Sequence, residues 1–286
     1  MSTQITEAFV EQYKSNVFHL AQQKGSRLRG AVKSETVTGT SHYFERIGAT
    51  AAQVRQGGRH SSTPQINTPH SRRKVTLADY DWADLIDQED KVRMLISPTS
   101  EYAKAGAYAM GRAMDDAIIA AASGNAFTGV AGATSSALPA GQKIAVGTTS
   151  LTVAKLIAAK EIIDAADVDP DETKYLVCSA KEITSLLGDD KVTSADYNSV
   201  KALVAGQIDS FMGFNFIRTE RIAAAGGDNL ALAFTQSALG LALGRDINTR
   251  ISERDDKNYA TQVFLSMTIG ATRVEDEKVV EIACNV

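Results

Sequence analysis

Long apolar runs are missing from this sequence: none approaches the roughly 20 consecutive residues that a membrane-crossing helix needs, so no helical span is expected. Cysteine is scarce, with Cys178 and Cys284 the only two. Each ends an apolar run, Tyr-Leu-Val-Cys and Val-Val-Glu-Ile-Ala-Cys, and both read as buried free thiols of a reducing compartment. Two cysteines do not by themselves exclude a disulfide. His19, His42, His60 and His70 are scattered and, even with the cysteines, offer no zinc-type spacing. Signatures of catalysis are missing too: there is no P-loop, HExxH, nucleophile elbow or kinase set. The nearest glycine motif, Gly129-Val-Ala-Gly132, lacks a third glycine and follows no convincing strand, so a dinucleotide loop is not expected. The N-terminal MSTQITEAFVEQYKS has neither a basic start nor an apolar core, unlike a secretory signal. No cofactor, metal or enzymatic activity is expected.

What is present is a chain of 286 residues, 44% hydrophobic and 22% charged, with a net charge of -4. That is the profile of a globular protein able to bury one large core or two ordinary ones. Against the negative total stands one basic stretch, VRQGGRHSSTPQINTPHSRRK from Val54 to Lys74. It contains no acid and almost nothing apolar, and two prolines and a Gly-Gly pair interrupt it. The charge then reverses in DYDWADLIDQED, where Asp79, Asp81, Asp84, Asp87, Glu89 and Asp90 crowd together. Adjacent blocks of opposite sign suggest electrostatic pairing, within one chain or between copies.

Around these blocks the patterning predicts secondary structure. Thr6 caps a first helix to about Lys24, with Phe9, Tyr13, Val17 and Leu20 on one stripe and Gly25 as its stop. Residues 26–40 read as a polar linker, or as an extended arm that packs on another subunit. Strand-like runs at 42–54 and 74–82 flank the basic stretch. A hairpin normally closes in a few residues, so a tip this long is functional, disordered or supported from outside. Ser97-Pro98 opens a long helix reaching Gly124, with Tyr102, Gly106, Ala109, Met110, Ala113, Met114, Ala117, Ile118 and Ala121 on one face. Helices at 151–166, 180–187 and 196–205 then alternate with strands at 174–179, 211–218 and 231–234. Strands at 250–253, 259–274 and 278–284 close the chain, the last two joined by a turn at Asp276-Glu277.

Single residues offer little chemistry. Asp115 and Asp116 are neighbours on a helix and point about 100° apart, so they are expected on a solvated face rather than around one ion. Asp189-Asp190 and Asp255-Asp256 read as caps or turns. Trp82, among acids, is a half-buried packing anchor or a contact on a partner. For the basic stretch three readings stand: a nucleic-acid contact, a solvated loop, and a clasp between subunits. Nucleic-acid binding favours basic residues interleaved with stacking aromatics, and this stretch has no aromatic besides its histidines. The clasp is the reading that also accounts for the acidic block.

Taken in order, these parts resemble the major capsid proteins of tailed bacteriophages, with the Hong Kong 97-type fold. The passage ADYDWADLIDQEDKVRMLISPTSEYAKAGAYAMGRAMDDAIIAAASG is similar to the spine-helix region of short-tailed phage capsids, and Ala231-Leu-Ala-Phe with Ser237-Ala-Leu-Gly-Leu-Ala to their axial domain. The resemblance rests on the order of elements over nearly the whole chain. It implies an α+β fold with an N-terminal arm (1–41), an extended loop (42–81), a peripheral domain with the spine helix (82–126), an α/β axial domain (127–245) and peripheral closing strands (246–286). It implies a structural protein of the virion, assembled in the host bacterial cytoplasm as hexamers and pentamers. The shell would be icosahedral and enclose double-stranded DNA without sequence-specific contact. A scaffolding protein, a portal and a decoration protein are the implied partners. The tip from Gly57 to Ser71 has no lysine, so no covalent cross-link is expected. Under this reading Arg55, Arg59, Arg72, Arg73 and Lys74 reach over a neighbour to meet Asp84, Asp87, Glu89, Asp90, Glu253, Asp255, Glu275 and Glu277, with Trp82 nearby. The alternatives are an encapsulin-like compartment of the same fold and an α/β enzyme whose site is not recognisable.

Overall fold

The computed structural model describes residues 22–55, 57–61, 63–87, 98–188, 210–222, 224–225 and 228–285. Its strands, in chain order, begin with β1 Lys33–Thr36, β2 Ser41–Ile47, β3 His70–Thr76 and β4 Ala78–Ile86. The long helix α1, Pro98–Ser123, follows, and then β5 Ala126–Thr128, β6 Thr134–Ser136 and β7 Lys143–Ile144. Next come α2 Val153–Ala165, β8 Lys174–Cys178, α3 Ala180–Leu187, β9 Ser210–Phe211, β10 Phe214–Arg218 and β11 Ala224–Ala225. The chain ends through β12 Asp228–Thr235, β13 Leu239–Arg254, β14 Ala260–Arg273 and β15 Val279–Cys284. It divides into two compact units. One takes Met1–Ser26, Ala78–Met114 and Arg245–Ile269; the other takes Arg27–Leu77, Asp115–Gly244 and Gly270–Val286.

In the first unit β4 lies antiparallel to β14, in register from Ile86 opposite Thr261 to Ala78 opposite Ile269. The period-two pattern of β14 buries Val263, Leu265, Met267 and Ile269 on one face. Small residues on α1 explain how the helix meets this sheet. A Cβ on Gly106 would lie 2.6 Å from both Leu265 Cδ1 and the Trp82 ring, so the glycine is what lets helix and sheet close. A Cβ on Gly111 would strike Gly25 Cα and Ser26 N at 2.5 Å, because the incoming chain crosses the helix backbone there. Arg112 fastens the crossing by donating to Gln22 Oε1 at 2.8 Å and to the Gln23 carbonyl at 3.2 Å.

The second unit is built on a mixed sheet with the order β7-β15-β12-β8-β10-β9, to which β11 adds by pairing with β12. The helices α2 and α3 supply Leu156, Ala159, Ile163 and Leu186 to a core with Leu176, Phe214, Ala231, Ala233, Val280 and Ile282. Thr152 caps α2, and Ser179 with Glu182 forms a capping box on α3. Lys155 ties the start of α2 to the sheet, its Nζ donating to the carbonyls of Val146, Thr149 and Ala283 at 2.9, 2.7 and 2.8 Å. A second sheet runs β2-β3-β5-β6. Its Phe44 and Val75 pack with Val37 and Ala242, and Gly240 leaves room for the Phe44 ring.

The long helix, the α2 and α3 elements and the last two strands, β14 and β15, form where the patterning predicts them. Cys178 and Cys284 are free and buried, as expected, and burial pushes both thiols up to about 12. Several expectations need correction. The residues 22–24 are not helical, and the rest of the first helix, the Ser97 cap and the 196–205 helix lie outside the described residues. In the 26–40 segment Leu28, Ala31, Val32 and Val37 are buried in their own chain, so it does not extend away from it. The returning strand breaks at Leu77, with β3 pairing to β2 and β4 to β14, because each half finds a different partner. The short strand at 250–253 is the end of the 16-residue β13. The last strand, β15, pairs with β12 and β7 rather than with β14.

Asp115 is likewise not on a solvated face. It is fully buried and accepts the Arg27 and Leu28 N–H groups at 3.0 and 3.1 Å. Asp116 beside it grips the Arg221 guanidinium with both oxygens. The pair anchors two separate chain segments to α1.

Candidate functional site

The basic stretch sits on an antiparallel hairpin. Strands β2 and β3 pair from Ser41 opposite Thr76 to Ile47 opposite His70, and Gly48 N–H extends the ladder to the Pro69 carbonyl at 2.9 Å. Between Gly48 and Pro69 the described residues are exposed, apart from the half-buried Ser61. Gly57 turns with φ 116°, a conformation that glycine adopts without penalty, and Ser61 N–H closes a turn on the Gly58 carbonyl at 3.1 Å. Val54 is 87% exposed and Ile47 71%.

The period of two sorts the base of the hairpin into two faces. On one face Glu45 lies opposite Arg72, and the Arg72 guanidinium rides 5.0 Å above the Tyr43 ring, a cation–π contact. Phe127, opposite Lys74, is exposed on this face too. Arg73 turns the other way, into the unit.

There Arg73 Nη2 meets Asp276 Oδ2 at 2.5 Å, while Arg273 Nε meets Asp276 Oδ1 at 2.5 Å. Arg273 is completely buried and also donates to the carbonyls of Ala122, Gly124 and Ser136 at 3.0, 2.6 and 3.0 Å. One aspartate therefore neutralises two arginines. Arg46 of β2 adds a bond to the Val274 carbonyl at 2.6 Å. The chemistry is that of charge-assisted hydrogen bonds in a dry setting, which fix direction more than they add stability. They hold the hairpin base against the end of α1 and the β14–β15 turn.

A second cluster stands next to this turn. Lys278 Nζ reaches Glu172 Oε2 at 3.2 Å, Ser237 Oγ at 2.9 Å and Glu275 Oε2 at 3.4 Å. Burial alone would lower the Lys278 pKa, but Glu275 and Glu172 together raise it. Glu275 is thus engaged inside its own chain.

The residues singled out for a clasp consequently separate. Arg55, Arg59, Arg72 and Lys74 make no ion pair with any described residue, and Arg55 and Arg59 are exposed. Arg73 is corrected: it is buried and paired with Asp276, so it cannot reach over a neighbour. Asp84 is half-buried on β4, and Asp87, Glu253, Asp255 and Glu277 are exposed, whereas Glu89 and Asp90 lie outside the described residues. Trp82 is half-buried against Gly106. Sequence reasoning missed Arg46, Arg273 and Asp276. The only signal was the alternation along β3, which places Arg73 on the face shared with Phe44 rather than with Arg72. Among the described residues no group of His, Cys, Asp or Glu is placed to hold a metal ion.

Comparison with known proteins bears on the family and the fold. A family model described as phage capsid protein matches residues 5–286. Among solved structures, the capsid of Cyanophage P-SCSP1u is similar with a TM-score of 0.73 at 18% identity, covering 100% of this chain and 96% of that one. The capsid of Ralstonia phage GP4 has a TM-score of 0.77 at 11% identity, covering 96% and 95% of the two chains. Mycobacterium phage Che8 gives 0.69 at 17% identity, covering 96% and 97%. No curated protein matches the chain in sequence.

Proposed function

Because the chain belongs to the phage capsid protein family, and is a structural major capsid protein forming the shell of the phage head, we propose that its copies hold one another through the β2–β3 loop. The observation that carries this reading is the state of the loop in a single chain. Its described residues are exposed apart from the half-buried Ser61, and Arg55 and Arg59 meet no described counter-charge. A neighbouring subunit supplies both the missing surface and the missing acids. Asp84, Asp87, Glu253, Asp255 and Glu277 are the acids we assign, with Glu89 and Asp90 in the same block. Each exposed pair contributes only about 0–1 kcal/mol, but a closed shell repeats every contact in every subunit.

The shell on this reading is icosahedral, made of hexamers and pentamers, and encloses double-stranded DNA without sequence-specific contact. A net charge of -4 suits a wall that must not adhere strongly to its contents. A separate scaffolding protein, a portal and a decoration protein are the further partners we assign, and no catalysis is needed. We assign the chain an N-terminal arm, an extended loop, and peripheral and axial parts, with β15 belonging to the axial part because it pairs with β12.

Arg72→Glu tests the clasp, since Arg73 has a different task. The variant subunit is expected to fold, with an unchanged circular dichroism spectrum, while negative-stain micrographs show loss of closed particles. Particles of normal size and yield would sink the proposal.

A further inference from the structure

We propose that the base of the β2–β3 hairpin is an anion site, at which the Arg73 guanidinium holds a chloride ion. Three guanidinium groups come together there. Arg46 Nη1 and Arg73 Nε both donate to the Val274 carbonyl, at 2.6 and 3.4 Å, so the two lie side by side on one face of the hairpin. Arg273 joins them through Asp276, whose carboxylate oxygens are divided between Arg73 Nη2 and Arg273 Nε. Arg73 is 4% exposed and Arg273 0%, so neither can spread its charge into water.

Two observations point to an anion. The first is charge. Asp276 is the one carboxylate that meets these three groups among the described residues, which leaves an excess of two positive charges. The adjoining cluster sets Lys278 against Glu172 and Glu275 and so returns one negative charge. One positive charge remains over, and in a dry setting an uncompensated charge is costly. The second observation is an unanswered donor. Arg273 spends its Nε on Asp276, its Nη1 on the Ala122 and Gly124 carbonyls and its Nη2 on the Ser136 carbonyl. Arg73 spends Nε and Nη2, but its buried Nη1 finds no acceptor among the described residues. The two N–H groups of that nitrogen are the free positive edge of the cluster.

The same two features identify the ligand. A metal ion or an ammonium group is repelled by the excess charge. Phosphate or sulfate brings more oxygens and more charge than one NH2 group and one residual charge can satisfy. A carboxylate carried on another chain cannot reach a guanidinium that is 4% exposed. Chloride is small, accepts hydrogen bonds from any direction and supplies the single negative charge that is needed. Bound at Arg73, it ties the hairpin to the β14–β15 turn alongside Asp276. The anions around the subunit then set how firmly the hairpin base is held.

The test uses the full-length unassembled subunit, so its outcome is independent of the clasp between copies. Sodium chloride replaces sodium gluconate at constant ionic strength, which keeps screening fixed while the size of the anion changes. Each tenfold rise in chloride is expected to lift the melting temperature by roughly 3–6 °C, the increment that mass action gives for a single occupied site. Arg73→Gln removes the donor and is expected to abolish this response. Arg46→Gln, at a half-buried position, keeps the fold and is expected to move the onset of the response to higher chloride. Asp276→Asn is expected to melt lower than wild type yet to respond at lower chloride, because the anion then answers both guanidinium groups. A purely structural cluster would show no such shift. A wild type that responds to the exchange no differently from Arg73→Gln and Arg46→Gln would overturn the proposal. So would a phosphate response that exceeds the chloride response and disappears in Arg73→Gln, since the site would then be built for an oxyanion.

Discussion

Asp276 offers the sharpest test of how the hairpin is held. Asp276→Ala deletes the one carboxylate between two guanidinium groups, Arg73 at 2.5 Å and Arg273 at 2.5 Å. Arg273 keeps its three carbonyl partners but has no exposure through which to recover water. Arg73 fares worse: its Nη1 already lacks a partner, and Nη2 would lose the only one it has among the described residues. Removing one side of a buried ion pair costs about 3–5 kcal/mol. The Asp276 side chain is 16% exposed, so some water reaches it and the lower end, about 3 kcal/mol, is expected. At about 2–4 °C per kcal/mol for a unit of this size, the melting temperature of the unassembled subunit should fall by roughly 6–12 °C. Urea titration should show a lower midpoint with an unchanged slope. Asp276→Asn, which keeps an acceptor but not the charge, should lose less than the alanine. A loss below about 1 kcal/mol would place the cluster with ordinary surface pairs and refute the assignment of Arg73 to the interior.

Gly111→Ala sets a methyl group against the Gly25 and Ser26 backbone, which has no flexible end to move aside. It should cost about 1–3 kcal/mol and speed protease cleavage near Gln22, whereas unchanged cleavage would mean the crossing is loose. Glu182 is fully buried with Oε1 unpaired, and burial outweighs the Ser179 N–H bond, raising its pKa above the ordinary 4.5. Between the unfolded and folded values the folded chain holds the extra proton, so stability falls as pH rises through that window. Glu182→Gln removes the cost: its melting temperature should exceed that of wild type at pH 7, and the gap should close below about pH 4, near the unfolded pKa. An equal gap at both pH values would assign the effect to packing.

Much of this fold is legible locally. The capping serine and following glutamate set the start of α3 at Ala180, as patterning predicts, and the small residues along α1 announce a helix that others approach closely. Alternation alone marks the buried face of β14, and apolar context alone places both thiols inside. These are properties of neighbours in the chain, with periods of 2 and 3.6 residues, and the sequence by itself determines them. The charge contrast between the basic loop and the acids after it belongs to the same class.

Partner choice does not. Nothing near Leu77 says that the strand before it joins β2 and the one after it joins β14, or that β15 crosses to β12. The choice depends on which apolar faces close together and on segments up to hundreds of residues away. Arg73 shows the consequence most directly. Beside Arg72 and Lys74 it looks like one more charge of an exposed block, yet its acceptor, Asp276, lies 203 residues further along the chain. Only the tertiary structure brings that carboxylate within 2.5 Å, and only then does burying the guanidinium become affordable. The sequence determined that a basic hairpin exists; the packing of distant strands decided which of its charges remain outside.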